Sequence, residues 1–421
     1  MNIRLLRASY ANALAIAVTA CASDTSRETT AVSERDSAGV VIVEQSAAHL
    51  ATLPTLTIDS LAEFSINGAD TAIAITSIVV VAQLADGRVL VTDVRHREVR
   101  EYSASGAFLR VVMPNGRGPG EVDYVNRIQV LPDNRFAVFD GNLRRISLFD
   151  FRGELVEQRA YPRFESGARA GPIALLEDSR LLASMRAPRV EPTVFDGVTR
   201  RDTFAIVAIH TLGDSAGEAL TRVDTIALVP DSEVFDVVTT ENGESRPDTD
   251  FVRLGPTTNL ASNGARVVLG TNEQRFELRE YRVDKLSRLL RVDQEAGRVP
   301  ADAGDRIRAI VAADMERRPF PASAKADLER MRAAWRFATV FPFHERLVIG
   351  TDGTLWAQAP GVWPTDAQRY LVFDNEGRAV ARVQLPERVT PHVMSLDRVL
   401  GVWLDDDDVP HVQAWRLRES P

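Results

Sequence analysis

Cysteine is nearly missing: Cys21 is the only one in 421 residues. One thiol excludes an internal disulfide framework and every Cys-x-x-Cys metal or redox motif. Lysine is almost as scarce, with Lys285 and Lys325 the only two among 50 basic residues. The others are arginines, whose planar guanidinium can clamp carboxylates or phosphates in pairs; codon composition explains the same bias without a ligand. Basic charge is in any case outweighed, because 59 acidic residues leave a net charge of −9. That balance argues against a nucleic-acid partner held by phosphate neutralisation. The six histidines (His49, His96, His210, His344, His392, His411) include no His-Glu-x-x-His and no close pair. Beyond Cys21 no apolar run reaches about 18 residues, the length a membrane-spanning helix needs. With 45% hydrophobic and 26% charged residues the composition is that of a globular protein.

What is present begins at the N-terminus. Arg4 and Arg7 precede a short Ala-rich apolar stretch closed by Val18-Thr19-Ala20-Cys21. The stretch is too short to span a bilayer and ends on small residues, as a secretory signal does. Residues 1–20 therefore read as a signal peptide, and residues 21–38, which contain no aromatic residue, as a flexible tether. Without residues 1–20 the net charge is −11.

The remainder, 39–421, is repetitive. Leu84-Ala85-Asp86-Gly87-Arg88-Val89-Leu90-Val91-Thr92-Asp93 is matched 47 residues later by Leu131-Pro132-Asp133-Asn134-Arg135-Phe136-Ala137-Val138-Phe139-Asp140. Further copies begin at Asp178, Asn263 and Asp352, the last with extra loop residues around Pro360–Pro364, and an incomplete sixth runs from Val399 to Leu417. Asp-Gly and Asn-Arg punctuation followed by alternating apolar residues describes short strands and tight turns. A unit of about 40–50 residues with four strands is a propeller blade. The expected fold is all-β: a six-bladed β-propeller of four-stranded blades, closed by an N-terminal strand taken from Gly39–Glu44 or Leu56–Ile58. One interval, 302–336, breaks the pattern. Ile307, Ile310, Val311 and Met315, then Leu328, Met331 and Trp335, are spaced as on two short amphipathic helices.

The repeat unit resembles an NHL-type repeat, and residues 35–418 resemble the bacterial six-bladed β-propeller lipoproteins. Val18–Cys21 resembles their lipobox, Arg35–Val40 the family's opening, and Gly116–Val122 its Gly-x-Gly-Pro-Gly-Glu-Phe loop, with Val122 in place of Phe. The resemblance implies lipidation of Cys21 and a place at the cell envelope, with Ala22 favouring the outer membrane or cell surface. On activity it is silent, because propellers host many functions.

Chemical motifs are few. Gly213–Gly217 matches a nucleophile elbow, but strand-like sequence follows where a helix is needed. Gly116–Gly120 has no following helix or Lys-Ser/Thr to make it a phosphate loop. Asp405–Asp408 offers four carboxylates without the spacing of a Ca²⁺ loop. His96, His210 and His344 fall in three copies, and are the candidates for a metal site holding Ca²⁺ or Zn²⁺ in a central channel. Trp363, in a long loop, is the candidate partner contact. The leading expectation is a monomeric, lipid-anchored, non-catalytic binding or scaffold module for a protein or glycan; the alternative is a metal-assisted, lactonase-like hydrolase or lyase with its site in the channel. No catalytic residue and no cofactor is assigned.

Overall fold

The computed structural model describes residues 31–66, 75, 77–162, 164, 168–187, 198–211, 221–241, 244–282, 284–317, 322–362 and 366–420. Cys21, Gly213–Gly217 and Trp363 lie outside them. Residues 32–37, expected to belong to the tether, instead form β1 (Val32–Ser37), which pairs with β2 (Val40–Gln45). Ala38 and Gly39 turn this hairpin at positive φ, 54° and 82°. α1 (Ala47–Thr52), capped by Ser46, then leads to β3 (Thr55–Ile58) and β4 (Phe64–Ile66).

The body repeats antiparallel sheets. The first comprises β5 (Ile78–Gln83), β6 (Val89–Asp93), β7 (Glu98–Tyr102) and β8 (Phe108–Met113). The second comprises β9 (Val125–Val130), β10 (Phe136–Asp140), β11 (Arg145–Phe149) and β12 (Leu155–Ala160). Each strand of the second begins 47 residues after its counterpart, the spacing of the sequence repeat. A third sheet holds β13 (Arg169–Leu175), β14 (Leu181–Arg186), β15 (Thr199–Thr211), β16 (Thr221–Glu241) and β17 (Glu244–Phe251). The fourth run is β18 (Asn259–Ser262), β19 (Val267–Gly270), β20 (Phe276–Arg282) and β21 (Lys285–Val292). α2 (Ala303–Arg317) and α3 (Ala322–Ala334) occupy the interval where helical spacing interrupts the repeat. β22 (Arg346–Ile349), β23 (Leu355–Gln358), β24 (Gln368–Phe373) and β25 (Ala379–Leu385) follow, then β26 (Val389–Met394), β27 (Arg398–Leu404) and β28 (Pro410–Glu419).

The N-terminal strands cover outer edges. β2 runs parallel on β21, β3 parallel on β25 and antiparallel on β28, and β4 antiparallel on β28. Of the two segments expected to complete the last sheet, Leu56–Ile58 pairs with β28, whereas Gly39–Glu44 turns back on β1 as a hairpin and lays Val41–Glu44 along β21. The Glu63 carboxylate binds both Arg398 (2.7 Å) and Arg416 (2.8 Å), fixing the strap to β27 and β28.

Apolar side chains from both faces of each sheet form the core. Leu90 and Met113 meet Phe136 and Phe149, and Phe139 and Ile146 meet Leu181 and Ile209. Ile206 and Val229 meet Val267 and Leu269; Leu278 and Leu290 meet Leu355 and Phe373. Trp356 and Tyr370 meet Met394 and Val399, and Leu400 and Val412 meet Val89 and Tyr102 of the first sheet. First strands lie side by side, β5 against β9 and β26, β18 against β22. Up-and-down sheets packed face to face about gathered first strands make this a β-propeller.

The two ends differ. At one, Gly87, Gly264 and Gly353 (φ +91°, +98° and +82°) and Asn134 (φ 63°) make tight reversals. Arginines span the sheets there: Arg159 donates to the Ser179 carbonyl (3.2 Å), Arg266 to Gly353 (2.8 Å) and Arg288 to Asn375 (2.9 Å). The other end gathers the glycine-rich loop, the Asp405–Asp408 turn, α2 and α3. Arg306 of α2 pairs with Asp366 at 3.1 Å, and Arg253 stacks on Trp335 at 4.3 Å.

Candidate functional site

The structure does not gather the three candidate histidines. His96 sits in the β6–β7 turn, half exposed, and its Nδ1 donates to Asp93 Oδ2 at 2.8 Å. His210, on β15, donates through Nε2 to Asp224 of the neighbouring β16 at 2.6 Å, away from the first strands. His344 is buried at 1% exposure, and its Nδ1 accepts from Asn259 at 3.1 Å. Asn272 donates to the His344 carbonyl (2.8 Å) and accepts from the His344 amide (3.2 Å). Burial pushes the ring's pKa down to about 3, so it is a neutral strut tying residues 341–345 to β18 and the β19–β20 turn.

Among the described residues, one group brings three metal-capable side chains together: Asp93, His96 and Glu98. All three come from one hairpin, where a channel metal would draw ligands from several sheets. Arg100 already lies 2.6 Å from Glu98 and 3.3 Å from Asp93, placing a fixed positive charge in the cluster. Asp93 Oδ1 also accepts from the amides of Arg95 and His96, so it closes its turn.

The other motifs are used internally. Glu121 folds into the glycine-rich loop and accepts from Gly118 N at 2.6 Å, and Arg145 donates to the carbonyls of Gly118 and Glu121. A Cβ at Gly116 would lie 2.0 Å from Glu121, so the space is already filled. Asp405 Oδ1 accepts from Asp407 N and Val409 N, and its Oδ2 from His411 Nε2 at 2.8 Å. That is a hairpin turn.

A different set faces the axis. Arg127 on β9 reaches past the third sheet to donate to the Ser262 carbonyl of β18 at 3.2 Å. Its Nε is enclosed without a partner. Arg346 opens β22, is solvent-exposed, and reaches the Pro391 carbonyl of β26 at 3.5 Å. The next residue, His392, is skipped by the β26–β27 register, which shifts between Pro391 and Val393. Such bulges re-aim a side chain. Burial, then Arg346, pushes the His392 pKa down to about 4; burial and Arg346 likewise lower that of Arg127. Among the described residues neither arginine has a carboxylate within ion-pair distance. Sequence reading overlooked them, although a signal exists: Arg127 and Arg346 each stand six residues before their turn aspartates, Asp133 and Asp352.

A groove of about 480 Å³ runs between Glu233, Asn272–Gln274 and the strip Arg336–Phe343. Arg336 covers its floor by stacking on Phe235 at 4.4 Å.

No family model matches the chain, and no curated protein matches it. Solved structures similar in fold include a member of the DUF4221 family from Bacteroides vulgatus (11% identity, TM-score 0.44, 87% of this chain and 96% of that one). A candidate exported protein of Bacteroides fragilis aligns at 12% identity and TM-score 0.43, over 88% of this chain and all of its own. A gluconolactonase of Xanthomonas campestris aligns at 12% and 0.37, over 86% and 98%.

Proposed function

We propose that this chain is a non-catalytic binding module of the cell envelope: a six-bladed propeller, closed on itself, anchored by lipid at Cys21 and receiving its ligand at the loop-bearing end. The six inter-sheet clusters support the ring, since each sheet shares one core with the next and β26–β28 shares one with β5–β8. The lipobox-like Val18–Cys21 supports the anchor. One observation carries the binding reading. Where a metal enzyme would converge acids and histidines from several blades, the first strands carry Arg127 and Arg346, without an acid partner among the described residues, beside neutral His392. The receptive chemistry is that of recognition.

A second reading, the metal-assisted hydrolase or lyase, would draw among the described residues on Asp93, His96 and Glu98; one of the neighbours is by name a gluconolactonase. The two are separated by assaying the purified chain, with and without Ca²⁺ or Zn²⁺, against lactone and ester substrates. The binding reading expects no turnover above background. Metal-dependent turnover lost in Asp93→Asn overturns it in favour of the second.

A further inference from the structure

We infer that Arg127, Arg346 and His392 form a receptor for an oxyanion group, carboxylate or phosphate, of a small ligand at the mouth of the propeller axis. The inference rests on the binding reading and deepens it. Its first support is contrast. Many arginines of this protein are matched with acids, among them Arg180 with Asp178 and Asp284, Arg291 with Glu277 and Glu44, and Arg186 with Asp231, while Arg145 and Arg201 spend several donors each on backbone carbonyls. Arg127 and Arg346 each spend one contact on a backbone carbonyl. A guanidinium carries five N–H donors in a fixed fork, so most of their capacity is free, including the enclosed Nε of Arg127.

The second support is cost. A cation held among protein atoms without a counter-charge is unfavourable, and here a second cation stands near enough to disfavour the charge of the first. The carboxylate adjoining Arg346 in sequence does not relieve it: Glu345 Oε1 accepts from Gly361 N at 3.2 Å, and burial, reinforced by Asp366, raises its pKa. A ligand oxyanion between the two forks would supply the missing charge through paired, charge-assisted bonds. The third support is placement. Arg127 and Arg346 occupy the same register of two repeat copies, where the first copy has Val80. The bulge at His392 adds a ring whose proton affinity responds to whatever neutralises Arg346.

The test uses the full chain in detergent, with inorganic phosphate and malonate as separate probes in calorimetry. At least one should bind saturably, with affinity reduced about tenfold or more in Arg127→Gln and in Arg346→Gln, in line with loss of a charged hydrogen bond. Arg346→Lys should keep part of it. Melting curves show whether Arg127→Gln folds; Arg346 is exposed, so its variants keep the comparison decisive. NMR titration gives a second readout: the bound anion offsets the repulsion from Arg346, so the His392 pKa should rise. Absence of saturable binding for both probes, equal affinity in the variants, or an unmoved His392 titration overturns the inference. Metal-dependent lactone or ester turnover would instead overturn the binding reading and leave these measurements as they stand, so the two failures are distinguishable.

Discussion

Asp86, Asp133 and Asp352 hold their turns by one bond, each accepting from the amide two residues on, Arg88, Arg135 and Thr354, at 3.1–3.2 Å. In the first two, the same arginine also pairs with the aspartate, at 2.7 and 2.6 Å. Part of the arginine enrichment is thereby structural. Gly353 has φ +82°, and a Cβ there would lie 2.4 Å from Asn375 Oδ1. Gly353→Val should cost about 1–3 kcal/mol, read as a lower urea midpoint with phosphate affinity of the folded fraction unchanged. Asp86→Asn, which keeps the acceptor, should melt closer to the parent than Asp86→Val. At this scale the histidines also set a pH dependence. His344 and His392 are held neutral, at about 3 and about 4, and both return to about 6.5 on unfolding. The unfolded chain therefore binds more protons below pH 6.5. Stability should be full above that value and fall as the pH drops from 6.5 towards 3, by on the order of 2 kcal/mol at pH 5 for His344 alone. Equal urea midpoints at pH 7.5 and 5 would contradict this.

Edge cover governs the elements. β21, β25 and β28 would each present an open edge without β2, β3 and β4. Ile66 on β4 is 3% exposed and packs among Val81, Leu400 and Val412. Ile66→Asp should therefore cost several kcal/mol, an unpaired charge in an apolar cluster. Glu63→Gln weakens two ion pairs that are part exposed, and should cost about 1 kcal/mol or less. The order Ile66→Asp well below Glu63→Gln in melting temperature checks that burial, more than charge, holds the strap. The helix pair divides similarly. Met315 of α2 is buried as its spacing predicts, whereas Met331 of α3 is 41% exposed. α2 and α3 are joined where Arg308 donates to the Arg332 and Trp335 carbonyls and where Lys325 pairs with Glu316.

For the whole molecule the consequence is that the last sheet depends on N-terminal strands, since β28 pairs with both β3 and β4. Deleting residues 31–66 removes every strand the N-terminus lends and should produce aggregation through the freed edges; a deletion variant that melts like the parent would count against the proposed closure. Cys21→Ser should release the chain from the membrane fraction and abolish lipid labelling, and unchanged fractionation would count against the anchor. The two tests address the proposed closure and the proposed anchor, and neither touches Arg127 or Arg346.

Local rules alone determined much of this protein. Period-two apolar alternation and Asp-Gly reversals are short-range physics, so the 47-residue spacing of Asp86 and Asp133 reappears strand for strand in β5–β8 and β9–β12. Helical spacing at Ile307–Met315 likewise needs only the chain's own period. Residues 32–37 misled because their polar composition conceals a strand whose partners, β2 and through it β21, lie elsewhere in sequence. The site was less legible. Histidines in three different copies suggest convergence, but each candidate met its own neighbour: Asp93, Asp224 and Asn259. Whether a charge is compensated is a property of distance, and distances between Arg127, Ser262, Arg346 and Pro391 exist only once the sheets are packed. Sequence supplied the two arginines in register; tertiary structure left them, among the described residues, without an acid.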